Sequence, residues 1–99
     1  MPELHLPGYN YCGPFTKLNE RLARRDVPVN KLDAGCKKHD IFYQDHKDTK
    51  ERHTTDKELE NIANERMHAS DASIHEKHDA ALVKVAMKTR RFLGLGVKY

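Results

Sequence analysis

No run of about 18 consecutive apolar residues occurs anywhere in this 99-residue chain, so nothing in it reads as a membrane-spanning helix. The opening MPELHLPGYN also lacks the basic segment and apolar stretch of a secretory signal, the pattern of a chain that acts inside a cell or is a piece of a larger protein. Cysteine is scarce: Cys12 and Cys36 alone are too few for the disulfide frameworks of small secreted domains, and they fit no C-x-x-C zinc spacing. No strand pattern can be named. The excess of positive charge is slight, +3, which suits an anionic lipid surface or nucleic acid without demanding either. What remains, 37% apolar against 33% charged residues, is polar for a globular chain but rich enough in Leu, Ile, Val and Phe to escape the disordered class. One domain with a small core follows.

All four prolines and two of the five glycines fall in residues 1–30, and residues 5–16 show no helical period, so that stretch reads as structured loop. Residues 17–25 suit a short helix with Leu18, Leu22 and Ala23 on one side. A stronger start stands at Asn30, an N-cap type placed after the helix-blocking Pro28, with Asp33 suited to the positive first turn. That helix is expected over about 31–51, with Leu32, Cys36, His39, Tyr43 and Lys47 on one face and Asp40 beside His39. His53-Thr54-Thr55 reads as a break with a hydroxyl cap. A second helix over about 56–69 then carries Asp56, Leu59, Ile62, Ala63 and Arg66 or Met67 at helical spacing. Beyond Ser70-Asp71 a third helix, about 72–93, shows an apolar stripe of Ile74, Ala81, Leu82, Val85, Ala86, Thr89 and Phe92 before the glycines of GLGVKY. The expected architecture is all-α: three helices over residues 30–93 behind an N-terminal loop.

Chemistry concentrates at two places. In LPGYNYCGPF, the Pro7-Gly8 and Gly13-Pro14 pairs force turns, and turned backbone exposes carbonyl oxygens of the kind hard cations such as calcium accept. A carboxylate must supply charge to such a site, and Asp40 on the helix face is the candidate. The second place is His39-Asp40-Ile41-Phe42-Tyr43.

An H-D-x-x-Y segment on a helix, preceded by a Y-x-G-P loop, resembles the phospholipase A2 family. The likeness is nearer to the phospholipase domain in the unique N-terminal region of parvovirus minor capsid proteins. There LPGY-x-Y-x-GP, P-V-N-x-x-D-A and H-D-x-x-Y occur in the order in which residues 6–14, 28–34 and 39–43 stand here. The resemblance runs on through Asp56-Lys57-Glu58-Leu59 to Leu93-Gly94-Leu95, covering about residues 6–95. It implies a small phospholipase A2-like fold: a calcium loop over 6–16, two long antiparallel catalytic helices and a basic C-terminal helix. His39 would be the general base that activates a water against the sn-2 ester of a glycerophospholipid. Asp56 would bond the other ring nitrogen, and Tyr43 would position Asp56. Calcium would sit between the Asp40 carboxylate and the backbone carbonyls of Tyr11, Gly13 and Phe15, with the Gly13 N–H helping to stabilise the oxyanion. Phe15 stands where many members of the family carry glycine. In the secreted branch, cysteines at the positions of Cys12 and Cys36 pair, so the resemblance also implies that bridge, worth roughly 3 kcal/mol in an unstrained loop of this length.

The resemblance further implies a domain that is monomeric in isolation and part of a larger capsid protein. It would belong to a virion, act on phospholipid at the host endosomal membrane and have no nucleic-acid partner. Lys84, Lys88, Arg90, Arg91 and Lys98, with Leu4, Leu6, Phe15 and Leu18, would serve bilayer docking, or equally form a solvated tail and a few core leucines. His75-Glu76-Lys77-His78 has the wrong offsets for the HExxH zinc signature and reads as an exposed helix face. Two rival functions differ in class. One is a membrane-binding module that kept the fold and lost turnover, for which Phe15 is the best argument. The other is a basic helical nucleic-acid binder, which predicts steeply salt-dependent affinity and leaves the GYNYCGP loop unexplained.

Overall fold

A computed structural model describes residues 8–12 and 17–93. They form four α-helices and no strand among the described residues: α1 (Leu18–Ala23), α2 (Lys31–Asp45), α3 (Thr49–His68) and α4 (Ile74–Phe92). No helix among them is long and apolar enough to cross a membrane. Each long helix begins on a side-chain oxygen that accepts first-turn amides. Asn30 takes the Asp33 N–H at 2.8 Å, Asp48 takes those of Lys50 and Glu51, and Ser73 takes that of Glu76. The all-α architecture and the short helix near residues 17–25 agree with the sequence.

Two sequence readings need correction. The helix expected over about 31–51 stops at Asp45, and the one expected from 56 starts at Thr49. The break lies at residues 46–48, where His46 leaves the helix with extended backbone and Asp48 caps the next one. Thr54 sits inside α3 and bonds back to the Lys50 carbonyl, so the threonines continue a helix instead of starting one. The chain turns early because Arg52 reaches back and donates to the carbonyls of His46 and Tyr43, at 2.7 and 2.8 Å, closing the open end of α2. The other correction concerns α4, whose buried line is Ala80, Val83, Met87 and Arg90. Ile74, Leu82, Val85 and Phe92 from the expected stripe face solvent. Apolar residues lie on two faces of this helix, and tertiary packing buries the one that carries Ala80, Val83 and Met87.

The helices α2 and α3 run antiparallel, for Gly35 meets Leu59 and Ile62 while His39, further along α2, meets the earlier Asp56. Gly35 is what permits this approach: a Cβ there would lie 3.0 Å from the Ile62 Cγ2. The core gathers Tyr9, Tyr11, Cys12, Leu18, Leu32, Cys36, Leu59, Ala63, Ala80, Val83 and Met87. It is small, and buried charge supplements it.

Arg66 at the end of α3 grips Glu76 at the start of α4 through two bonds of 2.8 and 3.1 Å, and Glu76 also accepts the Leu32 N–H at the start of α2. Ser73-x-x-Glu76 has the spacing of a capping box, but its glutamate bonds these neighbouring helices. Arg66 holds Glu76 and Asp71 below the usual carboxylate range, and Arg24 does the same for Asp26. Burial of Glu60 works against its ionisation most strongly, yet Arg91 and Lys57 prevail and lower it too. Carboxylates whose folded pKa is depressed stabilise the fold above their unfolded values and lose that contribution as pH falls through the folded ones. The melting temperature should therefore be nearly flat from neutral pH to about 5 and drop steeply below about 4. Circular-dichroism melts across that range check this, and Glu76→Gln should flatten the acid limb.

Candidate active site

The side chains at the centre of α2 and α3 form one chain of hydrogen bonds. The His39 Nε2 lies 2.6 Å from Asp56 Oδ1, and the Tyr43 hydroxyl donates to the same oxygen at 2.6 Å. All three residues are almost fully withdrawn from solvent. Because a carboxylate only accepts, the proton of this contact belongs to Nε2, which leaves the lone pair of a neutral His39 on Nδ1. That Nδ1 is buried, has no hydrogen-bond partner among the described residues, and lies 3.7 Å from Asp40 Oδ1. The geometry has the form of a base oriented by an acid, with the other ring nitrogen turned towards a second carboxylate.

Spacing on the helix produces this. His39 and Tyr43 are one turn apart, so their rings lie 4.5 Å apart between centroids, tilted by 32°, and both reach Asp56 on the facing helix. Burial raises the Tyr43 hydroxyl to about 12, aided by its bond to Asp56 and opposed by Arg90, so it stays a donor throughout the useful pH range. Arg90 of α4 donates to that hydroxyl oxygen at 2.7 Å.

The loop is fixed to α2 by two fasteners. Cys12 and Cys36 form a disulfide with their Cα atoms 5.2 Å apart, as the family resemblance implied. Asp33, one helical turn earlier, does more than complement the helix dipole. Its Oδ1 accepts the N–H groups of Tyr11 and Cys12 at 2.7 and 3.2 Å, and its Oδ2 those of Asn10 and Val29, both at 3.0 Å. Peptide bonds here are trans, so a Cys12 N–H aimed at Asp33 turns the Tyr11 carbonyl the opposite way, off the carboxylate. This ordering role of Asp33 was not read from the sequence, where an acidic residue at the third helical position looks like dipole complementation alone.

Gly13 and Phe15, expected at the calcium loop, lie outside the described residues, as do Leu4, Leu6 and Lys98. No group of three or more His, Cys, Asp or Glu side chains suited to a metal occurs among the described residues. A cation here would depend on one carboxylate and backbone oxygens. The chain fits that requirement where it is described: Asp40 follows Cys36 by one turn, and the disulfide brings the 11–12 peptide, with its redirected carbonyl, to the same helix. His75 and His78 are exposed and both approach the buried Asp79. A cavity of about 480 Å³ is lined by Lys17, Leu18, Tyr43, Gln44, Lys47 and Arg52 among others.

Known proteins share sequence with this chain. A family model described as a phospholipase A2-like domain matches residues 2–86. The minor capsid protein VP1 of Bovine parvovirus 1 is 52% identical to this chain over 42 residues, which is 42% of the chain but 6% of that protein. The chain thus spans only a small fraction of that relative's length. No solved structure matches it significantly.

Proposed function

Since the chain belongs to the phospholipase A2-like domain family, we propose that it is a calcium-dependent phospholipase A2 that cleaves the sn-2 ester of glycerophospholipids. The observation that carries the reading is the buried His39–Asp56 contact of 2.6 Å, with Nδ1 left over beside Asp40. An unpartnered buried nitrogen is costly to maintain, and a role in binding a reacting water gives it a reason to persist.

In this reading His39 Nδ1 takes a proton from water as the oxygen attacks the ester carbon. Asp56 accepts the Nε2–H throughout, which fixes the tautomer and stabilises the imidazolium as it forms. Tyr43 holds Asp56 in register by its own bond. On collapse of the tetrahedral intermediate His39 returns the proton to the leaving alkoxide, giving a fatty acid and a lysophospholipid. Asp40 and the carbonyls of Tyr11, Gly13 and Phe15 would hold calcium, which when bound supplies positive charge at the ester carbonyl and the phosphate. The Gly13 N–H would assist at the oxyanion.

The match to a capsid protein of Bovine parvovirus 1 supports a wider reading. The domain would be carried on a larger capsid protein, in a virion, and would act on the phospholipid of an endosomal membrane, as a monomer and without a nucleic-acid partner.

Fatty-acid release from mixed vesicles, in calcium and in excess chelator, tests the proposal. Release with calcium and loss of nearly all of it with chelator is expected. Release that ignores chelator would remove calcium from the mechanism. Vesicle binding with no release in either condition would favour the non-catalytic membrane module.

A further inference from the structure

On α4, Ala80, Val83 and Met87 face the core, and Arg90 follows Met87 by three residues on the same face. A guanidinium keeps its charge at any pH the fold survives, and burying one is costly unless acceptors receive its N–H groups. Arg90 is nonetheless only 6% exposed. One terminal nitrogen donates to the Tyr43 hydroxyl oxygen at 2.7 Å, and its guanidinium carbon lies 5.0 Å from the centre of the Tyr43 ring. Arg91, beside it, pairs instead with the buried Glu60 of α3. Arg52 also lies over the Tyr43 ring, at 4.6 Å, but its bonds to the carbonyls of Tyr43 and His46 serve the end of α2.

A phenol has one proton to give. Arginine offers donors only, so in the contact between them the Tyr43 oxygen must accept, and the phenol proton is directed to the other neighbour, Asp56. We propose that Arg90 is a positioning residue for the catalytic pair. By donating to Tyr43 it commits the phenol proton to Asp56, and so orients the carboxylate that holds the proton of neutral His39 on Nε2 and leaves its lone pair on Nδ1. Four side chains from three helices thus meet at one acceptor: the donation from Arg90 through Tyr43 and the donation from His39 Nε2 both end on Asp56 Oδ1. Donation from Arg90 to the phenol oxygen polarises the O–H and strengthens its bond to Asp56. Arg90 lies beyond residues 2–86, the span matched by the family model. This inference rests on the phospholipase reading and assigns a further residue to it.

The test measures kcat and KM for fatty-acid release from calcium-containing mixed vesicles, with the wild type, Arg90→Met, Arg90→Lys, Tyr43→Phe and the Arg90→Met/Tyr43→Phe double variant. Nitrogen-resolved NMR spectra of the His39 ring accompany the kinetics. Outer partners of reactive groups typically cost 10–100-fold when removed, so Arg90→Met should lower kcat by roughly that factor with KM little changed. Arg90→Lys should recover part of the loss, and the double variant should be no slower than Tyr43→Phe, because the two residues act in series. The Nε2–H resonance should be sharp in the wild type and Arg90→Lys and broadened in Arg90→Met. Unchanged kcat in Arg90→Met, or losses that multiply in the double variant, would overturn the proposal. If Arg90→Met does not fold, Arg90→Lys measured with Tyr43 and with Tyr43→Phe completes the same cycle. If the wild type releases no fatty acid, the phospholipase reading falls, and the ring spectra then decide: an Nε2–H signal indifferent to residue 90 refutes the positioning role.

Discussion

Replacing His39 by alanine should lower calcium-dependent fatty-acid release by about 10²–10⁴-fold while leaving the melting temperature within a few degrees of wild type. The rate effect is what a positioned general base contributes. The small structural effect follows from the surroundings. Removing the imidazole leaves Asp56 still accepting from Tyr43, which itself accepts from Arg90, so the carboxylate keeps a partner and the helices keep their contacts. Asp56→Asn makes the complementary case. The amide oxygen can still accept from Tyr43 and His39, so geometry survives, but the negative charge that stabilises the imidazolium is gone. A loss of about 10²–10⁴-fold is expected here too, seen mainly in kcat. Turnover numbers on vesicles at saturating calcium decide both. Activity that survives His39→Ala would assign the water's proton to some other group and end the His39–Asp56 mechanism.

The second large effect is on stability. Asp33→Ala should destabilise the fold by about 3–5 kcal/mol and weaken calcium binding at least tenfold. Four backbone N–H groups, those of Asn10, Tyr11, Cys12 and Val29, end on this one carboxylate. Each buried donor left without an acceptor costs about 1–3 kcal/mol, and partial relaxation towards water keeps the total below the simple sum. Asp33→Asn retains one acceptor oxygen and should lose about half as much. Urea denaturation gives the stability difference, and calorimetric titration gives the affinity. A shift of under about 1 kcal/mol in Asp33→Ala would mean that the disulfide holds the loop without this carboxylate.

Much of the candidate site was legible because its members are separated by fixed helical offsets. His39, Asp40 and Tyr43 fall within little more than one turn, and any helix through them aligns the histidine with the tyrosine. The Cys12–Cys36 pairing was legible only through family likeness, since two cysteines alone define no geometry. The helix boundary near residue 46 was readable in principle. Asp48 followed by Glu51 is an N-terminal signature, but Lys47 prolongs the periodicity of Leu32, Cys36, His39 and Tyr43 and masks it. Arg66, Glu76, Asp79 and Arg90 were harder, because periodicity sorts charged residues to the outside and all four are buried. Their places depend on partners distant in sequence, such as Tyr43 for Arg90, and no local pattern encodes those. The same limit explains the wrong face chosen for α4, where Leu82, Val85 and Phe92 outweigh Ala80 and Val83 in hydrophobicity yet lie in solvent.

One of the two fasteners between loop and helix is redox-sensitive, and the other is not. Thiol-rich surroundings of the cytosolic kind would cut the sulfur link between residues 12 and 36, whereas oxidising surroundings would preserve it. The acidic clasp at position 33 would remain closed in both. The domain's working life would then depend on its itinerary: in a reducing milieu the loop at residues 9–12 loses its covalent tie and keeps only hydrogen-bonded ones, and slackens there before the helical body comes apart.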